Sequence, residues 1–164
     1  MWVVSRRPIP PLAADGAAFV LVVADDLAAS LGGGLRILRG ANVGGDAARP
    51  GLAARDAIAA VGGAGADVAE VMEAYAGQAI LCSAGLAAVN IGVNVGGGAL
   101  ARGHAIGASG AVLAVRLFYE LAAGQTGVAA IAGAGGIGAG MVVERLTDRT
   151  PRIGINATVR DIFN

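Results

Sequence analysis

His104 is the sole imidazole in a sequence of 164 residues, and its neighbours are what make it a candidate for chemistry. It follows Gly103 and lies between Gly96-Gly97-Gly98 and Gly107, where backbone without side chains can come close to a ligand. A helical pattern begins just beyond it, and the first turn of a helix favours anions. A neutral imidazole so placed can donate to a developing oxyanion or assist a nearby thiol. The other candidates are weaker. Cys82, the single cysteine, falls on a helical stretch away from His104, and a buried cysteine commonly serves as a small core residue. Ser109 is close to His104 in sequence but reads as a first-turn helix residue, so no Ser-His-Asp arrangement is signalled. No His/Cys/Asp cluster has metal-ligand spacing. Gly133-x-Gly135-x-x-Gly138, following Val128–Ala132, matches a dinucleotide-binding fingerprint. That fingerprint needs a following helix, a further parallel strand and an acidic residue about twenty positions on. Here Met141-Val142-Val143 is β-prone and Pro151 follows, which disfavours a nicotinamide or flavin site.

The chain is long enough for one domain with a core and too short for two ordinary ones. Lys plus Arg equal Asp plus Glu at 12 each, so the formal net charge is zero. A nucleic-acid binder would gather a basic excess, and a protein drawn to anionic lipid would carry a polybasic segment; neither partner is expected. One cysteine allows no internal disulfide and suits a reducing cytoplasm. Arg6 and Arg7 lead into Pro8-Ile9-Pro10-Pro11 rather than an apolar run, so no signal peptide is read. There are 28 glycines and only 3 Phe, 2 Tyr and 1 Trp. No charged residue stands between Glu73 and Arg102, or between Glu120 and Glu144. Roughly 20 apolar residues suffice to span a bilayer. These stretches are interrupted by Gln78, Ser83, Asn90, Asn94, Gln125, Thr126 and glycine clusters, which hydrocarbon tolerates poorly. Elements of a soluble fold buried on both faces explain them better.

The elements that must position His104 follow from pattern. Phe19–Val23 is a continuous apolar, β-branched run and reads as a central strand. Asp25 and Asp26 open a short helix, Leu27–Leu31, stopped by Gly32-Gly33-Gly34. Leu35–Ala41 fits a second strand. Pro50 starts a helix to about Val61, ended by Gly62-Gly63. Asp67–Met72 reads as a strand, Ala74–Ala84 as a helix, Asn90–Ala105 as a glycine-rich loop, and Gly107–Leu121 as the longest helix, with Leu113, Leu117 and Leu121 on one face. Val128–Ala132 and Met141–Leu146 are strands joined by a glycine turn, the last antiparallel. The expected fold is α/β, a five-stranded mixed, mostly parallel sheet with helices on both faces. Residues 1–146 form the expected domain and 147–164 a polar tail with a weak strand at Ile153–Ile155.

Gly103-His104-Ala105-Ile106-Gly107-Ala108-Ser109-Gly110-Ala111 closely resembles the thiolase pattern Gly-His-Pro-Ile-Gly-Ala-Ser-Gly-Ala. Asp15-Gly16-Ala17-Ala18 matches the Asp-Gly-Ala-Ala that leads into the first strand of the C-terminal thiolase half, and Met72-Glu73-Ala74-Tyr75-Ala76 stands where the family has Asn-Glu-Ala-Phe-Ala. Gly133 to Gly138 followed by Met141 to Leu146 looks like the closing glycine turn and last strand. The resemblance covers about residues 9–146 and implies the C-terminal half of a thiolase-like fold. It implies Claisen chemistry on acyl-CoA in lipid metabolism, with a cysteine in the N-terminal half forming an acyl-thioester. By match of position His104 would activate that cysteine and help form an oxyanion hole, and the backbone N–H of Ala134 would serve a second one. Met72 stands where the family's asparagine holds a water, and Ala132 where a second cysteine moves a proton; with Gly135 these are the candidate substrate-binding positions. Thioether and methyl groups cannot take over the roles of amide and thiol. Reversible thiolysis of the usual kind is therefore not expected, whereas a decarboxylating condensation, as in the related ketosynthases, needs no proton abstraction from carbon.

No segment resembles the N-terminal half. The expectation is a cytoplasmic subunit of a split thiolase-like acyltransferase, inactive alone, completed by an N-terminal-half subunit with the nucleophilic cysteine in a hetero-oligomer, two of each chain being plausible. The chain itself is expected to bind no cofactor, with a CoA thioester or a carrier-protein-bound acyl group as substrate. The alternatives are a non-catalytic scaffold partner and a degenerate thiolase remnant.

Overall fold

The computed structural model describes residues 9–87 and 89–147. Helix α1 spans Asp25–Ser30, with both aspartates in its first turn. It is followed by strand β1 (Leu35–Gly44), helix α2 (Ala53–Ala60), strand β2 (Val68–Val71), helix α3 (Ala76–Ala87) and the short strand β3 (Gly92–Val93). Then come helix α4 (Ala99–Arg102), helix α5 (Ser109–Glu120), strand β4 (Thr126–Gly133) and strand β5 (Ile137–Arg145). The strands form one sheet in the order β1-β5-β4-β2-β3. β5 is antiparallel to both neighbours, while β4, β2 and β3 pair in parallel. The mixed five-stranded α/β sheet read from the sequence is thus present, with its last strand antiparallel.

Period-two alternation divides the sheet into two cores. Val128, Ala130 and Ala132 of β4 face α2 and α3, packing with Ala54, Ile58, Val61, Val71, Cys82 and Leu86. Ala129 and Ile131 face α5, where Leu113, Leu117 and Leu121 meet Met72 and Val143. Leu117 is fully buried, as its spacing with Leu113 and Leu121 predicts.

Membership of the sheet differs from expectation at one strand. Phe19–Val23 joins no strand, and Phe19, Val20, Leu21 and Val22 are 55–91% exposed. Hydropathy records that a segment needs covering, without saying what covers it. The ladder closes instead with Gly92–Val93 at the far edge, inside the stretch read as loop. A two-residue strand carries too little pattern to be seen. That stretch also holds α4, because Gly98 starts a turn whose Leu100 N–H donates to Glu73. The helices expected at Pro50 and Gly107 each begin with a 3₁₀ turn, and α3 starts two residues later than Ala74 and runs on to Ala87. The weak strand at Ile153–Ile155, like residues 148–164 of the tail as a whole, lies outside the described residues.

Among the described residues no helix is long and apolar enough to cross a membrane.

Candidate functional site

β1, β2, β3 and β4 point the same way, so their C-terminal ends share one edge of the sheet, where crossover loops of parallel sheets gather ligand sites. Met72 follows β2 on that edge, its N–H donating to Ala130 O at 2.9 Å. Ala132 is the penultimate residue of β4, and the 3₁₀ turn Ala134–Gly136 follows the strand, with Gly135 at φ 80°. The first turn of α5 reaches the same region: Gly110 and Leu113 line a cavity of about 410 Å³ with Ala129, Ala130 and Ile131 of β4.

His104 is held by its backbone as well as its ring. Its N–H donates to Leu12 O at 2.8 Å and its carbonyl accepts from Ala14 N at 3.2 Å, a one-residue parallel bridge to the chain's early segment. The fit is close. Gly103 adopts φ 93°, and a Cβ there would stand 2.6 Å from the Ala14 Cβ, so only glycine fits before the histidine. The ring is half-buried, and its Nδ1 lies 2.8 Å from Ser109 Oγ. Ser109 is buried at 5% exposure at the start of α5.

Glu73 braces the loop that leads to His104. Its carboxylate accepts from Leu100 N at 2.8 Å and from Asn94 Nδ2 at 2.9 Å. Asn94, in the left-handed region at φ 47°, also clamps the end of β2: Oδ1 accepts from Val71 N at 2.8 Å and Nδ2 donates to Val71 O at 2.9 Å. Both donors of that amide are thereby used, so Asn94 does not stand in for the amide missing at Met72. Its signal in the sequence is faint: an asparagine among glycines, a residue that tolerates left-handed backbone.

The remaining expected positions separate by face. Met72 is 4% exposed in the α5-side core, whereas Ala132 packs against the α2/α3-side core. Ala134 and Gly135 are exposed at the tip of the turn between β4 and β5. Cys82 is buried on the face of the sheet opposite α5; Gln78 Nε2 donates to its sulfur at 3.3 Å. Burial pushes the thiol above its ordinary value, with the Gln78 contact opposing. Cys82 is therefore expected to resist alkylation by iodoacetamide at neutral pH in the folded chain and to react readily in urea; rapid labelling of the native protein would contradict this placement.

Beneath the loop lies Glu70, fully buried on β2 with no hydrogen-bond partner at either oxygen. Arg116 Nε stands 3.6 Å from Oε1, close enough for ion pairing, and Arg116 also pairs with Glu120. Burial raises the Glu70 carboxyl above the usual carboxylate range, more than Arg116 and then Arg102 lower it. The folded state thus holds this proton more tightly than the unfolded chain. The associated stability is present below the ordinary glutamate value and is lost as pH rises through the raised one. Glu70→Gln removes that term, so the variant should gain stability relative to wild type as pH rises above the ordinary glutamate value of about 4.3. Urea midpoints measured at stepped pH check this; a constant difference between the two proteins would refute it. Among the described residues no group of three or more His, Cys, Asp or Glu side chains is arranged to hold a metal ion.

Residues 40–145 match the family of the thiolase C-terminal domain. The Bacillus subtilis protein YhfS, named for acetyl-CoA C-acetyltransferase activity, is 42% identical over 146 residues, covering 81% of this chain and 40% of its own length. The Staphylococcus aureus protein VraB, named for the same activity, is 37% identical over 132 residues, covering 76% of this chain and 35% of its own. The peroxisomal 3-ketoacyl-CoA thiolase of Saccharomyces cerevisiae, described as five layers built from two core domains of identical topology, superposes with a TM-score of 0.59 at 28% identity. That match covers 68% of this chain and 34% of the yeast protein. The chain therefore spans between a third and two-fifths of the length of these two bacterial relatives.

Proposed function

Because the chain belongs to the thiolase family through its C-terminal domain, we propose that it supplies the imidazole of a thiolase-like acyl-transfer site to a nucleophilic cysteine outside this sequence. The observation that carries the reading is His104, fixed at backbone and ring in a Gly-His motif beside the first turn of α5. The cysteine belongs to an N-terminal-type half, and the substrate is an acyl group on CoA or on a carrier protein. The backbone N–H of Ala134 serves a second oxyanion position. Met72 and Ala132 carry neither the amide nor the thiol that reversible thiolysis needs, which favours a decarboxylating condensation as the reaction completed.

Two apolar surfaces support pairing with a second half. Phe19–Val22 are exposed, and with Ala114, Val115, Phe118 and Tyr119 of α5 and neighbouring residues of β1 and β5 they line a groove of about 750 Å³. Exposed apolar patches of this kind mark interaction surfaces. The yeast thiolase, with its two core domains of identical topology, offers the pattern for such a pairing.

The test is reconstitution. This chain and an N-terminal thiolase half bearing the cysteine, from the same genome, are mixed and run by size exclusion, then incubated with acetyl-CoA and examined by intact mass. Co-elution and acetylation of the half's cysteine only when this chain is present support the reading. No association, or acetylation indifferent to this chain, would overturn it. A second reading, a non-catalytic scaffold, is favoured by the losses at Met72 and Ala132; it keeps co-elution but makes the chemistry indifferent to His104.

A further inference from the structure

We propose that Glu70 and Arg116 form a buried proton switch under the Gly96–Gly98 loop. With Glu70 protonated, the Arg116 side chain braces the loop; with Glu70 ionised, it turns inward and the loop loosens. The switch belongs to this chain alone and is independent of the acyl-transfer reading.

Three charged side chains grip the loop from within. Arg116 of α5 lies against Gly96, where the room a β-carbon would need is taken by its guanidinium and, at 2.7 Å, by Glu120 Oε1. Arg102 of α4 donates to Gly97 O. The Glu73 carboxylate fills the space beside Gly98 and accepts from Leu100 N at 2.8 Å. The glycines let these charged heads approach so closely, and a glycine run has no side chains of its own to pack. Its seating therefore depends on where those heads stay.

Where Arg116 stays depends on Glu70. Glu70 is fully buried on β2 with both oxygens unpartnered, and Arg116 Nε is buried and unpartnered too. Nε and Oε1 stand 3.6 Å apart, an ion-pair distance but too long for a hydrogen bond. Meanwhile Arg116 Nη2 donates to Glu120, one turn on along α5. That division of donors suits a neutral Glu70, which makes no claim on the guanidinium. An ionised carboxylate there is a poorly compensated buried charge, and turning the guanidinium inward would supply it with charge-assisted hydrogen bonds. The same turn withdraws Nη2 from Glu120 and from its place under Gly96. The elements packed on β2 are α3, α5, β3 and β4, and of these only α5 carries charge, through Arg116 and Glu120. Arg102 acts from α4, with Glu73 acting in turn on Arg102. Burial outweighs the two arginines and holds the Glu70 proton above the usual carboxylate range, so the braced state prevails until pH rises through that raised value.

The test is an NMR titration of the full chain, stepped upward in pH from the ordinary glutamate value. In wild type the Glu70 carboxyl carbon, Arg116 Nε and the amides of Gly96 and Gly97 should titrate with one shared midpoint. Above it the order parameters of those two amides should fall from about 0.85 to below about 0.6. The β4 amides should stay rigid throughout, which separates loosening of the loop from loss of the fold. Glu70→Gln, which keeps the size of the side chain, should leave Arg116 Nε and both amides unresponsive to pH and the loop ordered. Glu120→Gln removes a competing charge from Arg116 and a repelling one from Glu70, and should move the shared midpoint down. Three results would each overturn the proposal: Glu70 titrating while Gly96 and Gly97 stay ordered, a loop transition that survives Glu70→Gln, or a midpoint unmoved or raised in Glu120→Gln. So would a loop that stays rigid until all amides lose order together, since Glu70 would then be tied to the whole fold and not to the loop.

Discussion

In a complex reconstituted from this chain and a cysteine-bearing half, His104→Ala is expected to lower acyl transfer by about 10²–10⁴-fold while leaving assembly intact. The two effects separate because the ring and the surface proposed to pair lie in different places. The imidazole is anchored on the crossover before α5, while the apolar groove is lined by Phe19–Val23, by Ala114, Val115, Phe118 and Tyr119 of α5, and by residues of β1 and β5. The backbone bonds of His104 to Leu12 and Ala14 do not involve its side chain, so alanine should keep the loop in place. Loss of an oxyanion donor accounts for the lower end of that range, and loss of a general base for the upper. The measurement is the single-turnover rate of cysteine acetylation by acetyl-CoA, followed by intact mass. A rate within about threefold of wild type would remove the imidazole from the chemistry and leave the chain as a scaffold. A loss of rate accompanied by loss of co-elution would instead assign the residue to folding, which circular dichroism of the isolated variant would reveal.

Much of this geometry is legible in the sequence because local pattern and tertiary demand agree. The period-four leucines of α5 and the runs of β4 and β5 are each buried by elements within this chain, so hydropathy and partner coincide. Phe19–Val23 misleads for the opposite reason: its pattern is strand-like, yet the sheet closes without it. Strand identity is a statement about neighbours, and composition cannot name them. The Gly-His motif locates His104, but a hydrogen-bond partner five residues away depends on a 3₁₀ turn that periodicity does not resolve, so Ser109 reads as a first-turn residue alone. Asn94 and Glu73 are hidden similarly: their work is to tie a loop to a strand end, a contact with no fixed sequence spacing.

Gly138→Ala is expected to be the most damaging glycine-to-alanine change among the described residues. Helix α2 lies directly on β5, and the space a β-carbon at Gly138 would need is held by the main-chain carbonyl of Ala53, with the Val43 side chain at 3.0 Å. At Gly140 the Ala57 carbonyl stands 3.1 Å from the corresponding position, so the helix is seated on both glycines along one strand. A flexible side chain can rotate away from an inserted methyl, but a backbone carbonyl inside a packed helix moves only with the helix. Ala53, Ala54 and Ala57 are already at 0–2% exposure, which leaves no slack on the helix side. Overpacking a dense core costs about 1–3 kcal/mol and more where backbone must shift, so a loss near or above about 3 kcal/mol is expected. Against a typical domain stability of about 5–15 kcal/mol that is a large share. Gly85 is the control: it is exposed within α3, and a β-carbon there meets nothing within 4 Å. Gly85→Ala should therefore stabilise by about 0.5–1 kcal/mol through helix propensity alone. Urea unfolding of the three proteins side by side decides it. A Gly138→Ala midpoint at or above wild type would mean that α2 is not seated on β5 as described, and the sheet edge that carries Ala132 and Ala134 would lose its support with it.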